Sequence, residues 1–483
     1  MSKYLAFIKL LSGPLAAGCV YLISPGDVKV TAMAAITAWV AIWWLTEATH
    51  LAVTSLLPFV LLPMLGIMDA KSVAFQYMDQ VIFLFIGGFL IAFAIERWNL
   101  HRRIALGILM VVGTSPAGLL FGVMLSTFLL SMWISNTATV MMLISAVLAL
   151  IHETDRHLSK GKDKLATALL LGLAYAASIG GMATVVGTPT NMIFVSFYNK
   201  TFPGIAPVTF TSWMAFAFLI AIVFLLLAFV LIRYMFIKKG TSMAVEKNYF
   251  RDQYRTLGKM SHEEKMVSLL FVVTALLWFF RVEIPIGSFV IPGWSDLMSH
   301  PEYVQDSTVA IAMALLLFLI PSKTEKGKML LSWEEGKKLP FGIVLLFGGG
   351  FALAKGFDTS GLSNWLAGHL SFFAGASPFL IIFGICIIVT LLSEFASNVA
   401  SIQLMLPVLV SVLPGLGVSP LLLMVPATLA ASLGYMLPVA TAPNTIVYGT
   451  GRIPVKEMMI TGLLLDVIGI AVVTLAMMVF GIK

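Results

Sequence analysis

The chain carries one small polar pattern twice, 262 residues apart, each time in the middle of an apolar stretch. Ser135-Asn136-Thr137 follows Ser131 by four positions, and Ser397-Asn398-Val399 follows Ser393 by four. The pair Leu84-Phe85-Ile86-Gly87-Gly88-Phe89 and Leu346-Phe347-Gly348-Gly349-Gly350-Phe351 has the same 262-residue offset. The chain therefore reads as a duplication. Polar groups are costly in hydrocarbon unless they face protein, water or a ligand. Two equivalent polar clusters predict one shared site for something polar.

The segment Thr114–Ile151 sharpens the constraint. It holds 38 residues without a Lys, Arg, Asp or Glu. As one helix it would be ~55 Å long at ~1.5 Å per residue, against a hydrocarbon layer of ~30 Å. The triplet at Ser135 divides it into two short arms. It is expected to be a re-entrant helical hairpin with that triplet at its tip. Ser377–Pro414 reads the same way, with its tip at Ser397.

With 59% hydrophobic and 11% charged residues, no soluble domain fits. About eleven segments are apolar enough to enter a bilayer: 5–24, 30–48, 51–68, 81–96, 163–183, 208–236, 266–281, 306–320, 340–357, 419–440 and 458–481. The expected fold class is an all-α polytopic membrane protein. The net charge of +7 is better explained by orientation than by nucleic acid, because the basic residues lie in loops. Placing the N-terminus in the cytoplasm puts 24 of the 30 Lys and Arg inside, in Arg97–Arg103, Arg156–Lys164, Arg233–Lys265, Lys323–Lys338 and Arg452–Lys456 among others. Arg233–Lys265 is expected to be a cytoplasmic surface helix and loop. Under that topology 81–96 runs inward and its copy 340–357 runs outward, so the halves, roughly 30–237 and 265–482, are inverted repeats. Such repeats sharing a central site are a transporter signature. Cys19 and Cys386 make no disulfide framework or metal cluster. The lipoprotein-like Ala16–Cys19 is set aside, because Pro14 interrupts the preceding run.

Each hairpin is followed by a segment rich in Gly, Thr, Pro and Asn. The first is Ala177-Ser178-Ile179-Gly180 with Gly187-Thr188-Pro189-Thr190-Asn191. The second is Ala431-Ser432-Leu433-Gly434 with Ala440-Thr441-Ala442-Pro443-Asn444. Proline removes a helical hydrogen bond, so these read as broken helices, whose free N–H groups and carbonyls bind ions and anions. Two tips and two breaks offer hydroxyls, amides and carbonyls but no Arg, Lys or His. Each tip with its break suits one Na⁺ through neutral oxygens. A carboxylate between the tips would take hydrogen bonds from Asn and Thr. Without sodium, nothing there carries a full positive charge to receive a dianion. The Gly runs read as helix packing. Glu47, Glu394, Lys355 and Asp466 are the charges at membrane depth: Glu394 is expected to brace the second hairpin, and Glu47 and Lys355 to snorkel or pair.

With Trp43-Trp44-Leu45-Thr46-Glu47-Ala48 and Ser393-Glu394-Phe395-Ala396-Ser397-Asn398, these motifs resemble the divalent anion/sodium symporter family, the INDY-type carboxylate transporters, over nearly the whole chain. The resemblance implies about eleven transmembrane helices plus two re-entrant hairpins, a homodimer, and an elevator motion. A scaffold, 1–113 and 238–357 with a cytoplasmic linker, would carry a sliding transport part, 114–237 and 358–483. It implies one sodium site at Ser131, Ser135, Asn136 and Gly187, and another at Ser393, Ala396, Asn398 and Ala440. The substrate would meet Asn136, Thr137, Thr188, Ser397, Asn398 and Thr441. Three positions depart from the family pattern: His50 and Ala442 stand where it has Pro, and Val399 where many members have Thr.

The expected activity is sodium-coupled symport of C4-type dicarboxylates such as succinate, with two or more Na⁺, across a bacterial inner membrane. A sodium-independent exchanger, or a carrier of a tricarboxylate or sulfate, is the alternative. A channel fits poorly, because hairpins close a site rather than line a pore. No nucleophile–base pair or cofactor fingerprint argues for an enzyme.

Overall fold

The computed structural model describes residues 3–23, 27–157, 162–237, 248–286, 289–370 and 377–480. Parts of the basic stretches Arg156–Lys164 and Arg233–Lys265 lie outside these. Among the described residues, nine helices are long and apolar enough to cross a membrane, and shorter apolar helices lie between them. The chain is a multi-pass membrane protein. Its most enclosed span is Lys164–Met182, wholly buried among the others, whereas Phe210–Phe236 and Val455–Phe480 each bury one side and present apolar residues outward.

Each predicted hairpin is a pair of helices joined at its polar triplet, and one arm of each, Asn136–Thr154 and Pro378–Phe395, is long enough to cross a membrane. The first has arms Pro116–Ser131 and Asn136–His157, the second Pro378–Phe395 and Asn398–Leu416. Each starts in the same way. Ser115 caps the first arm by accepting from Gly118 N at 3.1 Å, with Pro116 next. Ser377 caps its counterpart by accepting from Leu380 N at 3.4 Å, with Pro378 next. A serine cap satisfies a free N–H, and proline in the first turn has none to satisfy. These Ser-Pro pairs share the 262-residue offset.

Both broken helices form too. Lys162–Met182 resumes as Pro189–Thr201, and Pro420–Ala430 resumes as Ala442–Tyr448. The resumed halves cross over. Pro189–Thr201 packs on the second hairpin arm Asn398–Leu416, and Ala442–Tyr448 packs on the first hairpin arm Asn136–His157. Each break is thereby held by the other half of the chain.

The other elements refine the reading. The span at 51–68 is two helices, Leu51–Thr54 and Leu57–Met64. His50 replaces the family's proline with a different device: its Nδ1 accepts from Ala52 N at 3.3 Å and caps the first of them. The segment after Arg281 holds a two-stranded ribbon, Ile284–Ile286 with Phe289–Ile291. Arg281 ties it down through Asp306 at 2.5 Å and the Val304 carbonyl at 2.9 Å. On the basic side, a short helix, Tyr249–Thr256, lies in Arg233–Lys265.

The glycine runs are packing sites. A β-carbon on Gly87 would fall 2.6 Å from the Ala310 backbone, and one on Gly349 2.7 Å from the Ser55 carbonyl. Gly88 faces open space. Gly349→Leu is therefore expected to lower the melting temperature of the detergent-purified protein, because overpacking of this kind costs about 1–3 kcal/mol. Gly88→Leu should melt like the wild type. Equal melting of the two variants would refute the packing role.

Candidate functional site

The first tip and first break are joined by hydroxyls and amides. Ser131 Oγ lies 2.8 Å from Asn136 Oδ1 and 2.7 Å from the Ala177 carbonyl. Asn136 lies against Gly181, where a β-carbon would collide with its amide. Gly187 lies against the same glycine, with a β-carbon on it 2.6 Å from Gly181 O, and its N–H donates to Thr184 Oγ1 at 3.0 Å. Ser135 is half-buried, and its Oγ accepts from Ala138 N at 3.3 Å. It lines a narrow cleft with Phe89, Trp133 and Val186. Thr137 is exposed. Thr188 is buried at the start of Pro189–Thr201, 3.4 Å from Thr190 Oγ1.

The second tip repeats the arrangement. Ser393 Oγ lies 2.7 Å from Asn398 Oδ1 and 2.6 Å from the Ala431 carbonyl. Gly434 gathers the rest: a β-carbon there would lie 3.4 Å from Ser393 O and 3.5 Å from both Ala440 Cβ and Thr441 Cγ2. Thr441 caps Ala442–Tyr448 by accepting from Asn444 N at 3.3 Å. Pro443 follows in the first turn, so Ala442 does without the family's proline. Ala396 is buried at the end of the first arm. Ser397 opens the second arm without using its hydroxyl as a cap, and Val399 packs partly into the apolar core.

In both clusters one hydroxyl faces two acceptor oxygens with a single proton to give. Hydroxyl, amide and main-chain oxygens gather there, and no Lys, Arg or His takes part. That donor set fits a small hard cation bound through neutral oxygens.

The two sets are linked directly. Thr190 Oγ1 and Ser432 Oγ are 3.4 Å apart across the breaks, and Tyr175 Oη donates to the Tyr435 carbonyl at 3.0 Å. The sequence reading missed the residues that hold the breaks open. Asn191 Nδ2 donates to the carbonyls of Gly181 (3.0 Å), Met182 (3.3 Å) and Thr184 (2.8 Å). Asn444 Nδ2 donates to those of Gly434 (3.0 Å) and Leu437 (3.1 Å). Each Asn stands three residues after the break threonine in both copies, which was the available signal. Asp79 was missed as well. It is buried at the head of Gln80–Arg97, where it accepts from Val81 N at 2.9 Å and Ser196 Oγ at 2.9 Å and pairs with Lys200 Nζ at 2.5 Å.

Of the charges at membrane depth, Glu394 is a brace: it accepts from Met436 N at 2.7 Å and Leu437 N at 2.9 Å. Lys355 pairs with Asp358 at 2.8 Å on the surface, and Glu47 is an exposed left-handed cap with φ 48°. Asp466 is buried on Val455–Phe480, with one carboxylate oxygen lacking a hydrogen bond.

The bracing role of Asn444 has a measurable consequence. Asn444→Leu strips two carbonyls of their donor, and each buried unsatisfied group costs ~1–3 kcal/mol. The variant is expected to melt well below the wild type, while Thr445→Ala, at an exposed position in the same helix, should change little. An unaltered melting temperature in Asn444→Leu would remove Asn444 from this role.

Comparison with known proteins agrees with this architecture. The family described as "Sodium:sulfate symporter transmembrane region" matches residues 11–483. The chain is 42% identical over 449 residues to the sodium-dependent dicarboxylate transporter SdcS of Staphylococcus saprophyticus, covering 91% of this chain and 84% of that one. It is 40% identical over 448 residues to the protein of the same name from Staphylococcus aureus, with the same coverage. Among solved structures, the Alcanivorax borkumensis YdaH transporter superposes with a TM-score of 0.57 at 13% identity, over 88% of this chain and 89% of that one. Neisseria gonorrhoeae MtrF gives 0.56 at 14% identity, over 98% and 93%. These two likenesses concern the fold alone. The family-wide match and the 40–42% identities place the chain among transporters rather than enzymes: it belongs to the sodium:sulfate symporter family, the divalent anion/sodium symporters.

Proposed function

We propose that this chain is a sodium-coupled symporter of C4-type dicarboxylates such as succinate, working by an elevator motion as a homodimer in a bacterial inner membrane with its N-terminus in the cytoplasm. The observation that carries the reading is the pair of oxygen-rich clusters at Ser131–Asn136–Ala177 and Ser393–Asn398–Ala431. The relatives named as sodium-dependent dicarboxylate transporters support the same cargo.

The chemistry follows from charge. A dianion cannot enter a low-dielectric site alone, because an unpaired charge there is strongly disfavoured. The site supplies amides, hydroxyls and helix N-termini, which are partial charges. Two Na⁺, one at Ser131, Ser135, Asn136 and Gly187 and one at Ser393, Ala396, Asn398 and Ala440, would bring the load to zero. Asn136, Thr137, Thr188, Ser397, Asn398 and Thr441 then orient the two carboxylates. Ordered this way, the ions come first and the acid binds where they have made room.

The elevator reading assigns 1–113 and 238–357 to the scaffold and 114–237 and 358–483 to the sliding part. Asp79 then sits on the scaffold, and Ser196 and Lys200 on the sliding part. Their contact belongs to one end of the stroke and must open for the other.

Two experiments test the proposal. Labelled succinate uptake into proteoliposomes is expected to need an inward sodium gradient, and Asn136→Ala and Asn398→Ala are each expected to abolish it in folded protein. Equal uptake with choline in place of sodium would sink the coupling. Separately, Lys200→Met leaves the buried Asp79 carboxylate without its cation, so it should slow uptake more than the double variant Asp79→Asn/Lys200→Met does. A double variant slower than the single one would refute the contact as a releasable latch.

A further inference from the structure

A cavity of about 750 Å³ lies apart from the tips and breaks, on the basic side of the molecule. Both arms of the first hairpin form its walls through Val123 and Met142. Helix Leu100–Val112 adds Leu109, and the short helix Tyr249–Thr256 adds Phe250. Its lining is mostly apolar, with Ser126, Ser145 and Gln253 among it, and its charged residues come from Glu96–Arg102. Pockets of ~300–1,000 Å³ suit a small organic ligand. An apolar depth under a charged mouth suits an amphiphile, and basic pockets between membrane helices on the cytoplasmic side bind lipid headgroups.

The mouth has an unusual charge balance. Arg97 is committed to Glu325 at 2.8 Å and Glu335 at 2.9 Å. Arg103 is buried and committed to both oxygens of Glu264, at 3.0 and 3.1 Å, and to the carbonyls of Gly258 and Leu257. That clamp fixes the end of helix Tyr249–Thr256 and so fixes the cavity's cover. His101 is buried, with Nδ1 3.5 Å from the Ile95 carbonyl. Arg102 and Glu96 remain. Both line the cavity, both are exposed, and neither side chain has a hydrogen-bond or ion-pair partner among the described residues. The mouth thus offers one free cation and one free anion. Beside them, helix Leu100–Val112 begins at Asn99 (φ 55°) without a side-chain cap, which leaves backbone N–H groups for an anion.

We propose that this cavity holds a phospholipid with a phosphoethanolamine headgroup, its phosphate on Arg102, its primary ammonium on Glu96, and one acyl chain along the apolar depth. A choline headgroup shares the phosphate but has no N–H to give Glu96. A glycerol headgroup has no cation for Glu96 and leaves that carboxylate unpaired beside a second negative charge. The first hairpin forms two of the walls, so the lipid would bear on an element that carries one of the tips. The inference does not rest on the transport reading and is tested without it.

The experiment is native mass spectrometry of the detergent-purified full chain, offered equimolar phosphatidylethanolamine, phosphatidylcholine and phosphatidylglycerol. The wild type is expected to retain phosphatidylethanolamine several-fold over the other two. Arg102→Ala should lose the adduct. Glu96→Gln should keep a lipid but lose the preference for ethanolamine over choline. Ala146→Trp, which fills the cavity from its lining and keeps both charges, should also lose the adduct. Melting temperatures close to wild type would establish that the variants are folded. Equal retention of the three lipids by the wild type, a preference for phosphatidylglycerol, or an unchanged adduct in Arg102→Ala or Ala146→Trp would each overturn the proposal.

Discussion

The rest of the structure depends on neutral oxygens gathered where each tip meets its break. At Ser131 and again at Ser393, a single hydroxyl proton faces an amide oxygen and a main-chain carbonyl. Elsewhere in a membrane helix such a carbonyl would be satisfied by its own ladder. The Ala431 carbonyl lies just past the end of Pro420–Ala430 and the Ala177 carbonyl inside the last turns of Lys162–Met182, and the surrounding residues satisfy the groups freed at each break. Asn191 and Asn444 take up carbonyls where each helix breaks off, including those of Gly181 and Gly434 beside the tips. On the proposed reading a small cation fills this gathering of neutral oxygens, and a Lys or Arg beside it would compete for the place.

The two halves solve the same problem with different chemistry. The position after Ser131 is Met132, and the position after its counterpart Ser393 is Glu394. In the first half the Met132 carbonyl accepts from Thr184 Oγ1, so the tip is tied to the break by a neutral bond. In the second, the Glu394 carboxylate takes two break N–H groups. A charge-assisted pair is the stronger tie, and it suits the longer unwound stretch between Ala430 and Ala442. It also places a carboxyl group beside the second cluster, where the first has Met132. The repeats are therefore symmetric in backbone and unequal in field, and cations bound at the two clusters would differ in affinity.

The features legible in the sequence were those with a repeat or a length to betray them. The 262-residue offset exposed the tips, and the charge-free run at Thr114–Ile151 could not be one helix in a bilayer. The breaks were announced by Pro189 and Pro443. The Ser-Pro pairs at Ser115 and Ser377 carried the same offset and would have set the hairpin starts. Contacts between distant positions left no such trace. Asp79 and Lys200 are 121 residues apart in unrelated contexts, and only the packing of Pro189–Thr201 against Gln80–Arg97 brings them together. The ribbon at Ile284–Ile291 was hidden for a different reason. Its three-residue strands are too short to show alternation.

The close contacts also divide by kind, and the division bears on motion. Within the proposed scaffold, Gly87 meets Ala310 and Gly349 meets Ser55 backbone to backbone. Such contacts gain dispersion only at full contact and lose it within a fraction of an ångström, so they hold one geometry. Between the scaffold and the proposed sliding part, Asp79 meets Lys200 and Ser196, and Gln403 Nε2 donates to the Leu346 carbonyl at 2.7 Å. Lys200 is about half exposed, at 45%, so water can replace its partner when the contact opens. Polar contacts with a route to water can be exchanged for hydration, whereas interlocked glycine faces cannot. On the proposed division, Gly87 and Gly349 make close contacts within the scaffold, while Gly350 packs against Gln403 and Asp79 pairs with Lys200 across the boundary.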